Sequence, residues 1–188
     1  MENRPVERYG AVAQFLHWAT AILVLVAFVS GPGGSEERIY SPARDFDRSL
    51  HETLGMCVLV LLAIRVLWRM FDQRPDPPDL SRWMALAAKI VLGALYVLLF
   101  AVPLTAITGA WLEGHPLTLL AGVRIQPLLA LSHDTGAIIA QIHTWLGDAI
   151  LWLAGLHAVA ALYHHFYVWD DVLVSMVPRW LLASRHKR

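Results

Sequence analysis

The chain has 188 residues, of which 57% are hydrophobic and 16% charged, with a mean hydropathy of +0.51 and a formal net charge of zero. Soluble domains carry about 25% charged residues, so a water-soluble globule, a disordered chain and a basic nucleic-acid-binding protein are all excluded. The single cysteine, Cys57, rules out an internal disulfide, and no C-x-x-C-H motif is present for covalent haem attachment. Eight tryptophans fit a chain with membrane interfaces. Nine histidines do not follow from that and need their own explanation.

About 20 apolar residues cross a bilayer as a helix. The first such stretch covers 11–30 and stops at Gly31-Pro32-Gly33-Gly34. Arg4 and Arg8 before it fit the start of a signal peptide, but the run is long for one and no A-x-A site follows. It therefore reads as a retained anchor. The second stretch covers 50–70 and ends at Arg69 and the Pro75, Pro77, Pro78 cluster. The third covers 84–112, with Pro103 as a kink. The fourth covers 136–169 and stops at Asp170-Asp171. It is longer than one span needs, so it tilts or emerges from the membrane. Two more apolar segments are too short or interrupted to span. Residues 116–131 contain Arg124 and Pro127 and are expected along the outer surface; residues 172–182 contain Pro178 and Trp180 and are expected along the inner surface. The architecture expected is an all-α membrane protein, one four-transmembrane-helix bundle forming a single domain over 1–188. With both termini cytoplasmic, eleven of the 15 lysines and arginines lie inside, and only Arg38, Arg44, Arg48 and Arg124 lie outside. The positive-inside rule therefore places both termini in the cytoplasm.

Ionisable groups within spans are costly and mark function. His143 and His157 are 14 residues apart on one helix. That is about 21 Å along the axis and within about 40° of the same face. The topology puts His51 at the depth of His143, near the outer side, and His17 at the depth of His157, near the inner side. Two imidazoles facing each other across a bundle suit the two axial positions of a haem iron. Zinc would want further protein ligands, and no carboxylate or thiol cluster supplies them. His51-Glu52-Thr53-Leu54-Gly55 and His143-Thr144-Trp145-Leu146-Gly147 both read H-x-x-L-G. A glycine one turn from each histidine leaves room for a flat macrocycle, although small residues also allow close helix packing. The plainer alternative is that each histidine is a polar contact between helices. Asp148, also within a span, suits a contact to a neighbouring helix, a hydrogen bond to a ligand histidine, or water. Arg65 and Arg69 suit either haem propionates or headgroup anchoring. His115, His133 and His186 read as solvated surface, and His165 has no assigned role.

Order and spacing resemble the bacterial cytochrome b561 family over nearly the whole chain. The matching residues are Arg8-Tyr9, Leu16-His17-Trp18, His51 with Gly55, and Arg65 with Arg69. They continue through Leu95-Tyr96, Pro103, Gly109 and His143 with Gly147, to Gly155-Leu156-His157-Ala158, Tyr163-His164-His165-Phe166 and Asp170. The resemblance implies two b-type haems, with His17, His51, His143 and His157 as the iron ligands. It also implies a bacterial inner-membrane location. The family includes a superoxide oxidase, which passes electrons from superoxide at the outer face to ubiquinone. By that resemblance Arg82 and His164 match quinone contacts, with Lys89 a further candidate.

The function expected is thus electron transfer from a periplasmic one-electron donor, superoxide, to ubiquinone. The outer loop adds no net attraction for an anion, because Arg38, Arg44 and Arg48 are offset by Glu36, Glu37, Asp45 and Asp47. The same haem pattern also serves a cytochrome b anchor subunit, which passes electrons between a soluble dehydrogenase or reductase and quinone. A third alternative is a non-redox membrane protein with structural histidines.

Overall fold

The computed structural model describes residues 8–72, 80–129 and 131–178. Arg4, Arg74, the Pro75, Pro77, Pro78 cluster, Trp180, His186 and the basic tail with Arg179, Arg185, Lys187 and Arg188 lie outside the described residues.

Four segments are long and apolar enough to cross a membrane: Ala11–Ser30, Pro42–Arg69, Arg82–Leu112 and His133–Val168. The elements run in the order α1 (Ala11–Ser30), α2 (Glu36–Ile39), a 3-10 turn (Pro42–Arg44), α3 (Asp45–Arg69), α4 (Arg82–Leu112), β1 (Leu117–Thr118), β2 (Arg124–Ile125), α5 (His133–Tyr163), a π-helical turn (His164–Val168) and α6 (Val172–Met176). The four long helices form a bundle in which α1 packs against α3 and α4 against α5. Large apolar side chains such as Phe15, Val29, Phe71 and Trp152 point outward. Water would not tolerate that surface, whereas lipid matches it.

The first span begins and ends where hydropathy places it. The second helix starts earlier than its apolar run, at Asp45. Its first turn is charged, so hydropathy does not register it. Asp45 and Asp47 sit at the positive end of the helix dipole. They pair with Arg48 at 2.5 Å and Arg44 at 2.8 Å, each three residues away. The segment after α4, which hydropathy shows only as too interrupted to span, folds into a small antiparallel hairpin, with Leu117 opposite Ile125. Leu117 is buried, and the hairpin hangs on α3: the Thr118 N–H donates to Glu52, and the Leu120 N–H donates to Thr53 Oγ1 at 2.9 Å.

At the opposite end, α6 is tied to the start of α1. Gln14 Nε2 and Trp18 Nε1 donate to the carbonyls of Ser175 and Met176, both at 2.9 Å, and the Tyr9 N–H reaches Ser175 O at 3.3 Å. The segment following α5 thus closes onto the entry of α1.

Among the described residues, the buried core is a thin layer at mid-bundle. Val58 and Leu62 of α3, Leu99 of α4 and Ile150 of α5 form it, flanked by Leu23 and Val24 of α1. A second determinant is a glycine contact between α4 and α5. A Cβ on Gly109 would lie 3.1 Å from Ala140 N, and one on Gly136 would lie 2.9 Å from Glu113 N and 3.1 Å from Gly109 O. The absent side chains let the two backbones touch.

Gly136→Ala tests that contact. Alanine gains about 1 kcal/mol of helix propensity over glycine, but here the new methyl meets backbone, which cannot rotate away. The clash is expected to win, lowering stability by about 1–3 kcal/mol. Thermal unfolding in detergent is the measurement, and a midpoint unchanged or raised would show that the backbones are not in contact.

Candidate functional site

The four histidines within the spans come together as two pairs, one toward each end of the bundle. His51 of α3 faces His143 of α5 with ring centres 6.0 Å apart and planes at 82°. His17 of α1 faces His157 of α5 at 6.3 Å and 75°. All four are half-buried. A metal–nitrogen bond of about 2 Å plus about 1 Å from nitrogen to ring centre sets two axial imidazoles about 6 Å apart. Both pairs have the spacing of rings that share one metal atom between them.

The His51–His143 pair is also fixed in tautomer. At the end of α1 the Gly31 N–H turns to Phe28 O, in a 3-10 step, instead of reaching back to Ala27 O. That carbonyl is one of the helix's orphan acceptors, and His51 Nδ1 donates to it at 2.8 Å. His143 Nδ1 donates in the same way to Val102 O at 2.9 Å, the carbonyl just before Pro103. A carbonyl only accepts, so both Nδ1 atoms carry the proton. In the neutral ring that leaves Nε2 as the free lone pair, the form a metal needs.

The His17–His157 pair is held differently. Arg65 NH2 lies 3.4 Å from His17 Nδ1, and the Arg65 and Arg69 guanidinium carbons sit 5.5 and 5.4 Å from the centre of the Tyr96 ring. A fixed positive charge therefore stands beside this pair.

Room for a flat group lies next to the outer rings. A Cβ on Gly55 or on Gly147, each one turn after its histidine, would meet no atom within 4 Å. Each pair offers two opposed nitrogens, a donor set that fits the axial positions of a haem better than the tetrahedron of zinc. Among the described residues, the cluster of three metal-ligating side chains is elsewhere, at Glu36, Glu113 and His115.

The residues matched to quinone binding lie at the end that carries α6. Arg82 is exposed in the first turn of α4, and Lys89, also exposed, is seven residues on. Seven residues are nearly two full turns, so the two share a helix face. His164 is half-buried in the π-helical turn, and its Nδ1 is 2.5 Å from Asp170 Oδ2. Such turns recur at functional sites. Trp169 closes this one with a left-handed φ of 60°, which folds Asp170 back toward His164. Asp148 is exposed, and His165 packs edge-on to Phe166.

His133 is exposed, as the sequence suggests, and His115 is half-buried, and both are drawn to Glu36 in one cluster. His115 Nε2 is 2.7 Å from Glu36 Oε1, His133 Nε2 is 3.4 Å from Glu36 Oε2, and the Tyr40 ring stacks on His115 at 3.4 Å. Burial, with Glu52 and Glu113 nearby, raises the Tyr40 phenol pKa above its ordinary range. Burial and the Glu36 carboxylate likewise push the Glu113 pKa up. The weak sequence signal for this cluster was Glu113-Gly-His115 at a helix end; nothing in it pointed to Glu36, 77 residues before Glu113.

Comparison with known proteins agrees with this geometry. Residues 8–179 match the family model described as prokaryotic cytochrome b561. The chain is 32% identical over 176 residues to cytochrome b561 homolog 2 of Escherichia coli (strain K12), covering 93% of each chain. It is 30% identical to cytochrome b562 of Cereibacter sphaeroides, covering 86% of this chain and 90% of the relative. It is 26% identical to the probable superoxide oxidase CybB of Yersinia pestis, covering 92% of this chain and 97% of the relative. The chain belongs to the prokaryotic cytochrome b561 family, and is a multi-pass bacterial membrane cytochrome that binds b-type haem.

Proposed function

We propose that the protein binds two b-type haems, one between His51 and His143 and one between His17 and His157, and carries electrons from superoxide at the outer face to ubiquinone at the inner face. The observation that carries this reading is the pair of ring separations, 6.0 and 6.3 Å, each matching two axial ligands of one iron. Haem supplies reversible one-electron chemistry when bound. The chain supplies the axial nitrogens, the tautomer lock on the outer pair and the charge beside the inner one. With both histidines of a pair holding it, each haem would be suited to electron transfer rather than to oxygen activation.

The overall reaction oxidises two superoxide anions to dioxygen. Their two electrons and two protons reduce one ubiquinone to ubiquinol. Support for superoxide as donor comes from the Yersinia pestis relative's description. The protons are taken up at the quinone end, where the His164–Asp170 pair would relay them: the carboxylate accepts from Nδ1–H, and Nε2 takes up a proton and passes it on. Arg82 and Lys89 supply positive charge there. Both termini are cytoplasmic in this reading, as the distribution of basic residues favours, and the protein lies in the inner membrane as one domain over 1–188.

Replacement of either ligand in a pair is expected to remove that haem and keep the other. His51→Ala and His143→Ala should each lose the outer haem, and His17→Ala and His157→Ala the inner one, measured as haem per protein with the reduced spectrum. Loss of both haems from every variant, or of neither, would overturn the pairing.

Arg65→Gln removes a positive charge beside the inner pair. It should lower the midpoint potential of the inner haem, because that charge favours the added electron, and leave the outer haem nearly unchanged. Arg65→Lys should restore most of the potential. A redox titration that finds both haems unmoved would show that Arg65 does not tune the site.

Superoxide generated enzymatically should reduce the haems of the purified protein and then added ubiquinone. Arg44 and Arg48 are already ion-paired on the outer surface, so the rate should depend only weakly on ionic strength. His164→Phe should leave haem reduction intact and slow quinone reduction by about 100-fold, the low end of the usual contribution of a positioned proton donor. Haems that superoxide cannot reduce, in a protein that co-purifies with a soluble redox partner, would instead favour the anchor-subunit role.

A further inference from the structure

We propose that the outer cluster of Glu36, Glu113, His115 and His133 is a binding site for a divalent transition-metal ion of the zinc class, separate from the two histidine pairs. One donor atom from each of Glu36, Glu113 and His115 lies within 4.8 Å of the others. His133 joins through Glu36, with its Nε2 3.4 Å from the second carboxylate oxygen. Two imidazoles and two carboxylates make a nitrogen–oxygen donor set that suits zinc and its first-row neighbours far better than calcium or magnesium.

The donors come from three separate parts of the chain, and each is held in place by local structure. Glu36 opens α2. Glu113 and His115 flank Gly114 at the end of α4. There Gly114 takes a left-handed φ of 84°, the Gly114 N–H donates to Trp111 O at 3.0 Å, and the His115 N–H donates to Ala110 O at 2.8 Å. This is the paired hydrogen-bond pattern of a glycine-terminated helix. It fixes the two side chains two residues apart at one helix end. His133 is the first residue of α5, and the Ser132 N–H donates to Leu112 O at 2.9 Å, so the start of α5 is fastened to the end of α4. The Gly109–Gly136 contact brings Glu113 against α5 in the same way. The Tyr40 ring, stacked on His115 with planes at 18°, orients the imidazole.

Two carboxylates share this space with two imidazoles, and a single bridging proton between Glu36 and His115 balances only part of the charge. A dication balances both carboxylates. A tetrahedral site with bonds of about 2 Å needs its donors about 3.3 Å apart. Glu36, Glu113 and His115 already lie near that spacing, and the exposed His133 side chain, outside that group of three, would turn in from Glu36 to complete the set. A bound ion would clasp the first outer loop to the α4–α5 junction. The Tyr40 that backs His115 also lies under Arg48, whose guanidinium carbon is 5.1 Å from its ring centre, so the clasp reaches the start of α3.

The test uses the haem-loaded full chain without an affinity tag, dialysed against buffered zinc and assayed for zinc per protein, with haem content measured on the same samples. The expected result is one zinc per chain and a zinc-dependent rise in the thermal midpoint. Glu36→Gln and His115→Ala should each lower the affinity at least 100-fold and remove the midpoint shift, with haem content unchanged. His133→Ala should weaken binding about tenfold, and His164→Phe, at the other end of the bundle, should not affect it. Because each outer variant is read against its own haem content, a variant that fails to fold is recognised, and Glu113→Gln then serves as the second probe. No zinc retained by the wild-type chain, or the same zinc affinity in Glu36→Gln and His115→Ala as in wild type, would overturn the proposal. Zinc lost only in His164→Phe would also overturn it, by placing the metal at the His164–Asp170 pair.

Discussion

Two hydrogen bonds between helices organise the outer half of this bundle: His51 Nδ1 to Ala27 O and His143 Nδ1 to Val102 O. Each does two things at once. It satisfies a buried polar ring nitrogen with a backbone carbonyl of the neighbouring helix, α3 to α1 and α5 to α4. It also forces the ring into the tautomer whose remaining nitrogen is a free lone pair. In hydrocarbon, an unsatisfied imidazole N–H is costly, so helix packing and ring orientation are specified by the same contact. At Ala27 the acceptor exists because α1 ends in a 3-10 step, so the way one helix stops determines how a histidine on another is presented.

The remaining packing follows from where these pairs sit. Ile150 lies midway in sequence between His143 and His157, and Val58 lies seven residues after His51. Seven residues are about 10 Å of helix and almost two turns. The layer of Val58, Leu62, Leu99 and Ile150 thus lies between the two pairs of rings on the same inward faces. This apolar layer separates the two pairs of histidines. Outward, the same helices show large apolar side chains to lipid. The bundle therefore needs little buried core of its own.

Much of this was legible in the sequence because membrane helices obey simple rules. Length and hydropathy fixed the first span, and the 14-residue interval from His143 to His157, read with an alternating topology, matched the histidines by depth. What escaped was set by tertiary contacts or by polar residues that hydropathy ignores. The charged first turn of α3 is stabilised by Asp45 and Asp47 at the helix dipole. The hairpin at Leu117–Ile125 depends on Glu52 and Thr53 two elements away. The π-helical turn at His164 and the left-handed Trp169 leave no compositional trace. The union of His115 and His133 with Glu36 needs the Gly109–Gly136 approach, which a sequence shows only as two small residues. Arg65 read equally well as a headgroup anchor, and only three-dimensional placement puts it beside His17.

That last placement makes the two ends of the bundle electrostatically unequal, and the inequality bears on direction. The outer rings are held by neutral carbonyls, whereas the inner pair has a guanidinium 3.4 Å from one imidazole nitrogen. A positive charge in a low-dielectric site favours a neighbouring electron, so in the proposed function the chain itself would bias electrons toward the His17–His157 pair. In the proposed orientation the membrane potential does the reverse, opposing inward movement of negative charge by about 2.3 kcal/mol per 100 mV across the full membrane. The electron crosses only the part of the field that lies between the two pairs, so the opposing cost is a fraction of that value. In the proposed function Arg65 would thus offset part of the field at the acceptor end of the step.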